Sequence, residues 1–117
     1  QIYLIDGENG MIVSFDPKSH KFVKKLNIRK IGMYPCCVAL CDDIHIFHGE
    51  DNNKHLIYSA SNNTVKEVPD PVTTHPRASV SALLFGERII RFGGTDYDTG
   101  SYLDSFHMSS AIKVNHR

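Results

Sequence analysis

Tryptophan is absent from this chain of 117 residues, and cysteine is scarce: Cys36, Cys37 and Cys41 are the only three. An odd number of thiols packed so closely does not describe a disulfide framework, so reduced cysteines and a cytoplasmic setting are expected. An excess of either charge is missing too, with 13 Lys and Arg against 13 Asp and Glu. Nucleic acids and anionic membranes are bound mainly through accumulated positive charge, so neither is expected as a partner. No apolar run approaches the roughly 20 residues that span a bilayer. The chain opens on Gln1 and runs straight into Ile2, Tyr3, Leu4 and Ile5, as expected of a cut segment without a signal peptide. Helical periodicity is also lacking. Even residues 22–30, which hold the best helix formers, are interrupted by β-branched residues.

What remains is β-like and repetitive. Residues 37–49 align without gaps on residues 82–94: an apolar run, a tight polar turn, a second apolar run and a terminal glycine. Cys41-Asp42-Asp43 thereby faces Gly86-Glu87-Arg88. The opening residues 2–7 match the second half of that unit, so Gly7, Gly49 and Gly94 recur 42 and 45 residues apart. That period suits a propeller blade. After each glycine come a polar loop, another β-like run, a turn and a further run, which gives four strands per unit. Asp16-Pro17 and Ser61-Asn62-Asn63 are the turn signals. Pro69, Pro71 and Pro76 are expected to stop pairing before the third unit, and residues 111–114 to add one last strand. The expected division is a partial first unit over residues 1–34, a second over 35–76, and a third, incomplete at its end, over 77–117.

These residues resemble the kelch repeat. Ile89-Ile90-Arg91-Phe92-Gly93-Gly94 looks like its strand with a glycine doublet, Phe15-Asp16-Pro17 like its aromatic turn, and Pro76-Arg77 like its Pro-Arg opening. The doublet is reduced to Asp6-Gly7 and His48-Gly49 in the other units, and the tryptophan usual in the outer strand is replaced by Phe22 and Val65. The resemblance implies an all-β fold of kelch-type β-propeller blades, each of four antiparallel strands. Closed propellers take about four to eight blades, so this propeller is expected to be incomplete. A β-sandwich with repeated hairpins is the alternative.

Two glycines after an apolar strand permit positive φ where the chain leaves the sheet, which assigns Gly7, Asp16, Pro17, Gly49, Gly93 and Gly94 to structural turns. Cys36, Cys37, Cys41, His45 and His48 are the one gathering of metal-ligand types, but strand and hairpin geometry scatters them. They read as small buried cysteines and partly exposed histidines, with no metal and no cofactor expected. No nucleophile elbow or phosphate loop is present, so no catalytic residue is assigned and the chain is not expected to be an enzyme.

Recognition is expected in the variable loops after each doublet, at Glu50, Asp51 and Asn52 and at Asp96, Tyr97 and Asp98. The expected function is a protein-interaction module or scaffold with a protein partner of unknown identity. Self-association is expected if no longer propeller contains the chain. Two alternatives follow from the resemblance. One is a propeller-fold enzyme of the oxidase type. The other is a purely structural part of a larger kelch protein, such as a ubiquitin-ligase substrate receptor or an actin-associated protein.

Overall fold

The computed structural model describes residues 1–30, 35–47, 54–69, 77–78, 81–86, 88–93, 95–96 and 106–109. Every element among them is a β-strand, and every pairing is antiparallel. Runs rich in β-branched and aromatic residues, alternating with polar ones, dictate this outcome, because such side chains pack well on a pleated, half-buried surface.

The first sheet is a meander of β1 (Ile2–Asp6), β2 (Met11–Asp16) and β3 (Lys21–Asn27). The second is a four-stranded meander of β4 (Cys36–Leu40), β5 (Asp43–Phe47), β6 (Lys54–Ser59) and β7 (Thr64–Pro69). Strands β8 (Arg77–Ala78) and β11 (Thr95–Asp96) pair with each other. The third sheet runs β12-β10-β9, from β9 (Ser81–Phe85), β10 (Arg88–Phe92) and β12 (Phe106–Ser109). Two details differ from the sequence reading. Pro69 does not stop pairing but closes β7 opposite Lys54, tolerated because β7 is an edge strand. Asp96 belongs to a short strand rather than a loop, opposite Arg77. Pro71, Pro76 and residues 111–114 lie outside the described residues.

Strand alternation sets which way each side chain faces. On β5, Ile44 and Ile46 turn to the first sheet and join Ile12, Leu56 and Tyr58, with Tyr3, Ile5 and Leu26 packed against them. Phe47 turns the other way and joins Cys36, Val38 and Ile89, with Leu40, Ala82 and Leu84 packed against that group. The second sheet is thus clasped between the other two. The gapless alignment of the hairpins carries over: Ala82 and Leu84 face the second sheet, just as Cys37 and Ala39, at the aligned positions, face the first. Cys37 and Ala39 nevertheless stay exposed, whereas β4 lies against β9 on its other face. The first sheet has no strand corresponding to β4 or β9 among the described residues.

Three four-residue turns share one mechanism. The fourth turn residue donates its backbone N–H to the carbonyl of the preceding strand's last residue: Gly10 to Asp6 at 2.9 Å, His20 to Asp16 at 2.8 Å and Asn63 to Ser59 at 2.8 Å. That fourth residue has φ of 74°, 59° and 54° respectively. Asp16 also accepts from the Lys18 N–H and the Ser19 hydroxyl, both at 3.0 Å, and Asp6 from the Asn9 N–H at 3.0 Å and the Asn9 amide at 2.8 Å. Hydrogen bonds to the charged form hold both carboxyls below their ordinary value, from Asn9 at Asp6 and from Lys18 and Ser19 at Asp16.

The glycine requirement of the first turn therefore falls on Gly10, not on Gly7, which is buried at the turn's start. A Cβ on Gly10 would stand 2.5 Å from the Ile28 carbonyl oxygen. Asp16 caps as expected, Pro17 is exposed beside it, and Gly93 has the positive φ (72°) foreseen for the doublet. Gly49 and Gly94 lie outside the described residues.

Candidate functional site

Strand ends determine where the polar loops leave the scaffold. The Phe47 ring lies under the Arg91 guanidinium, whose Cζ is 4.3 Å from the ring centroid, so the end of β5 meets the end of β10. Tyr3 near the start of β1 packs at 5.8 Å on Tyr58, which is paired with Ile44 at the start of β5, so β1 runs alongside β5. The turn at residues 7–10 and the exits at Phe47 and Phe92 accordingly share one end of the stack. Glu50, Asp51, Asn52, Tyr97 and Asp98 lie outside the described residues, while Asp96 has its backbone in β11.

Directly beneath that end is a polar cluster buried between the second and third sheets. His45 and His55, on neighbouring strands and the same face, are 0% and 5% exposed, and Arg91 is 2% exposed. His45 Nδ1 and His55 Nε2 are 2.8 Å apart. One nitrogen must donate and the other accept, so the pair holds at most one positive charge while this bond lasts. The His55 ring packs on Phe47 at 4.1 Å between centroids, and Phe47 also carries the Arg91 guanidinium over its ring. A buried guanidinium is costly unless compensated, and the face of an aromatic ring supplies part of that compensation.

Cys36 sits opposite Phe47 in the β4–β5 register and completes the apolar floor. Burial pushes its thiol up to about 11, against the opposing pull of Arg91, so it is a neutral, weakly nucleophilic group at pH 7. Of the cysteine and histidine gathering marked in the sequence, Cys36 is buried, Cys37 and Cys41 are exposed, and His48 is outside the described residues. His45 corrects the reading of partly exposed histidines: it is fully buried, beside Phe47 and His55. Among the described residues, no group of three or more His, Cys, Asp or Glu is arranged to hold a metal ion. No helix among them is long and apolar enough to cross a membrane.

His55 and Arg91 were missed as members of a site. A signal for Arg91 was present, because the period of two in Ile89-Ile90-Arg91-Phe92 places it on the same face as Ile89. His55 shares a face with Ile57 by the same alternation, but follows a polar stretch that marks it as a strand end. The joint between the first and second sheets is stitched differently, at its rim. A β-bulge between Ile12 and Val13 leaves Lys25 outside the pairing, and its carbonyl accepts from the Asn63 amide at 2.8 Å. The Asn63 side-chain oxygen accepts from the Tyr58 hydroxyl at 2.8 Å, and Arg29 pairs with Glu67 at 3.3 Å.

At the opposite end, a cavity of about 260 Å³ opens between these two sheets, lined by Tyr3, Ala39, Asp42, Asp43 and Ile44 among others. In comparisons with known proteins, no family model and no curated protein matches the chain.

Proposed function

We propose that the chain is a set of consecutive blades of a kelch-type β-propeller and acts as a protein-interaction module, presenting the loops after each glycine doublet to a partner protein. The observation that supports this reading most is the repeated facing. Three antiparallel sheets stack in chain order, and aligned positions point the same way in each: Ile2, Ile44 and Ile89 to one side, Tyr3, His45 and Ile90 to the other. A scaffold of that kind leaves its variable segments at one end, where recognition residues gather on repeat folds. The neutral overall charge favours a protein partner over a polyanion.

The test is affinity capture from an extract of the source cell, comparing the wild type with a chain in which Glu50, Asp51 and Asn52 are replaced by Ser, and with one in which Tyr97 and Asp98 are replaced. A partner retained by the wild type and by an exposed-strand control, Lys66→Ser, but lost from either loop variant supports the reading. Capture indifferent to both loops contradicts it and leaves the purely structural role.

A further inference from the structure

Among the described residues, two apolar sheet faces have no neighbour in the stack. On the first sheet, Ile2 is directly opposite Phe15, and Phe15 is opposite Phe22, so the three share a face with Leu4. Ile2, Leu4 and Phe22 are 50%, 46% and 65% exposed. On the third sheet, Leu83 is opposite Ile90, and Phe85 lies two residues along on the same face; Leu83 and Phe85 are 46% and 68% exposed. Soluble chains seldom leave such groups of large apolar side chains uncovered on two separate faces.

Their positions identify what covers them. Ile2 and Leu4 align with Ile44 and Ile46, which in the second sheet are packed against the sheet before it. Leu83 and Phe85 align with Val38 and Leu40, which in the second sheet are packed against the sheet after it. The chain makes the same joint twice, always with the trailing face of one sheet on the leading face of the next. Its two free faces are the two halves of that joint.

We propose that a second copy of the chain supplies the missing neighbour, head to tail: the Leu83–Phe85 face of one copy seats on the Ile2–Leu4–Phe22 face of the next. A net charge of zero sets no long-range repulsion against this contact. Because the two surfaces differ, the interface is heterologous, and it continues from copy to copy until a ring closes or a filament grows. The proposal rests on the stacked-repeat reading but not on the partner-binding loops, so the two fail separately: loop variants report on capture, face variants on assembly.

The experiment is sedimentation velocity on the whole chain over a wide concentration range, with Leu4→Asp and Phe85→Asp as single variants and as an equimolar mixture. The wild type is expected to sediment as species larger than a monomer, growing with concentration, and each variant as a monomer. The mixture is expected to form a heterodimer and nothing larger, since Leu4→Asp retains an intact trailing face and Phe85→Asp an intact leading face. A wild type that stays monomeric throughout overturns the proposal. So does a mixture that stays monomeric while the wild type associates, which identifies a symmetric or unspecific contact. Circular dichroism checks that each variant keeps its sheet signal. If an Asp variant loses it, Ile2→Thr and Leu83→Thr repeat the mixing with residues that strands accept, and the same two outcomes decide.

Discussion

The two joints of the stack are built from the same strand, β5, and differ in chemistry. Ile46 enters the first joint among Ile12, Leu56 and Tyr58, a mainly apolar interior in which Ser14 is also buried, with the hydrogen bonds and ion pair between the sheets at the rim, at Asn63, Arg29 and Glu67. Phe47, its neighbour in sequence, enters the second joint beside His45, His55 and Arg91, where imidazoles and a guanidinium are sealed inside. A dry joint holds by area removed from water, which denaturant and temperature weaken. A joint with buried polar groups holds only while each keeps its hydrogen bond or ring contact. The second kind lies directly under the exits of the candidate recognition loops, so conditions that disturb it are expected to disturb the loops' footing first.

Neighbouring substitutions on β5 separate the two most sharply. Ile46→Ala leaves a cavity in the dry joint and is expected to cost about 4 kcal/mol in urea unfolding. Gly10→Ala acts on the same joint through the backbone, because the new Cβ displaces Ile28 and must adopt positive φ; about 3 kcal/mol is expected, without the recovery that a larger neighbouring cavity would permit. Phe47→Leu keeps an apolar group in the second joint but removes the ring from Arg91 and His55, and about 2 kcal/mol is expected. An Ile46→Ala effect smaller than that of Phe47→Leu would contradict the close apolar packing assigned to Ile46 in the dry joint.

Alkaline pH acts on both joints, because burial raises the Cys36 thiol in the second and the Tyr58 hydroxyl in the first, and substitution at Cys36 separates the two. The Cys36 thiol stays protonated in the fold up to about 11, while in the unfolded chain it ionises near its ordinary value. The folded state binds the extra proton across that interval, so stability is expected to fall as pH rises from about 9 to about 11, by about 2 kcal/mol from this thiol. Cys36→Ala is expected to remove the Cys36 share of this alkaline loss and to leave the part that comes from Tyr58 and Cys37, whose values burial also raises. At the acid end the signs reverse: Asp6 and Asp16 are held below their ordinary value, so their contribution is present above it and is lost as pH falls through the folded value.

The smallest effect concerns the two tight hairpins. Cys41 and Gly86 occupy aligned turn positions with φ of 54° and 63°. Only glycine adopts such angles freely, so Cys41→Gly is expected to stabilise by about 1 kcal/mol in thermal or urea unfolding.

The strands and the hairpin repeat were legible because they depend on local alternation and on turn residues such as Asp16-Pro17, whose carboxylate bonds its own turn. The same capping at Asp6 went unread because the adjacent Gly7 looked like the turn's special residue, while Gly10 carries the positive φ. Burial of His45 and His55 was not legible, and for Arg91 the alternation gave only the face it shares with Ile89. A histidine or arginine in an alternating strand looks the same whether water or another sheet covers its face, and only the third sheet decides. The pairing of Asp96 with Arg77 is likewise non-local, and a Thr-Asp-Tyr-Asp-Thr run reads as loop until a partner strand is known.

The stacking order depends on β5 sending Ile46 one way and Phe47 the other, since a slip of one residue would exchange the two joints. Methyl and aromatic nuclear Overhauser contacts measured on the whole chain test it directly. Ile46 is expected to show contacts to Ile12 of β2, and Phe47 to Ile89 of β10, with none between Ile46 and Ile89. Contacts from Ile46 to Ile89, or from Phe47 to Ile12, would contradict the stacking order and the functional reading built on it.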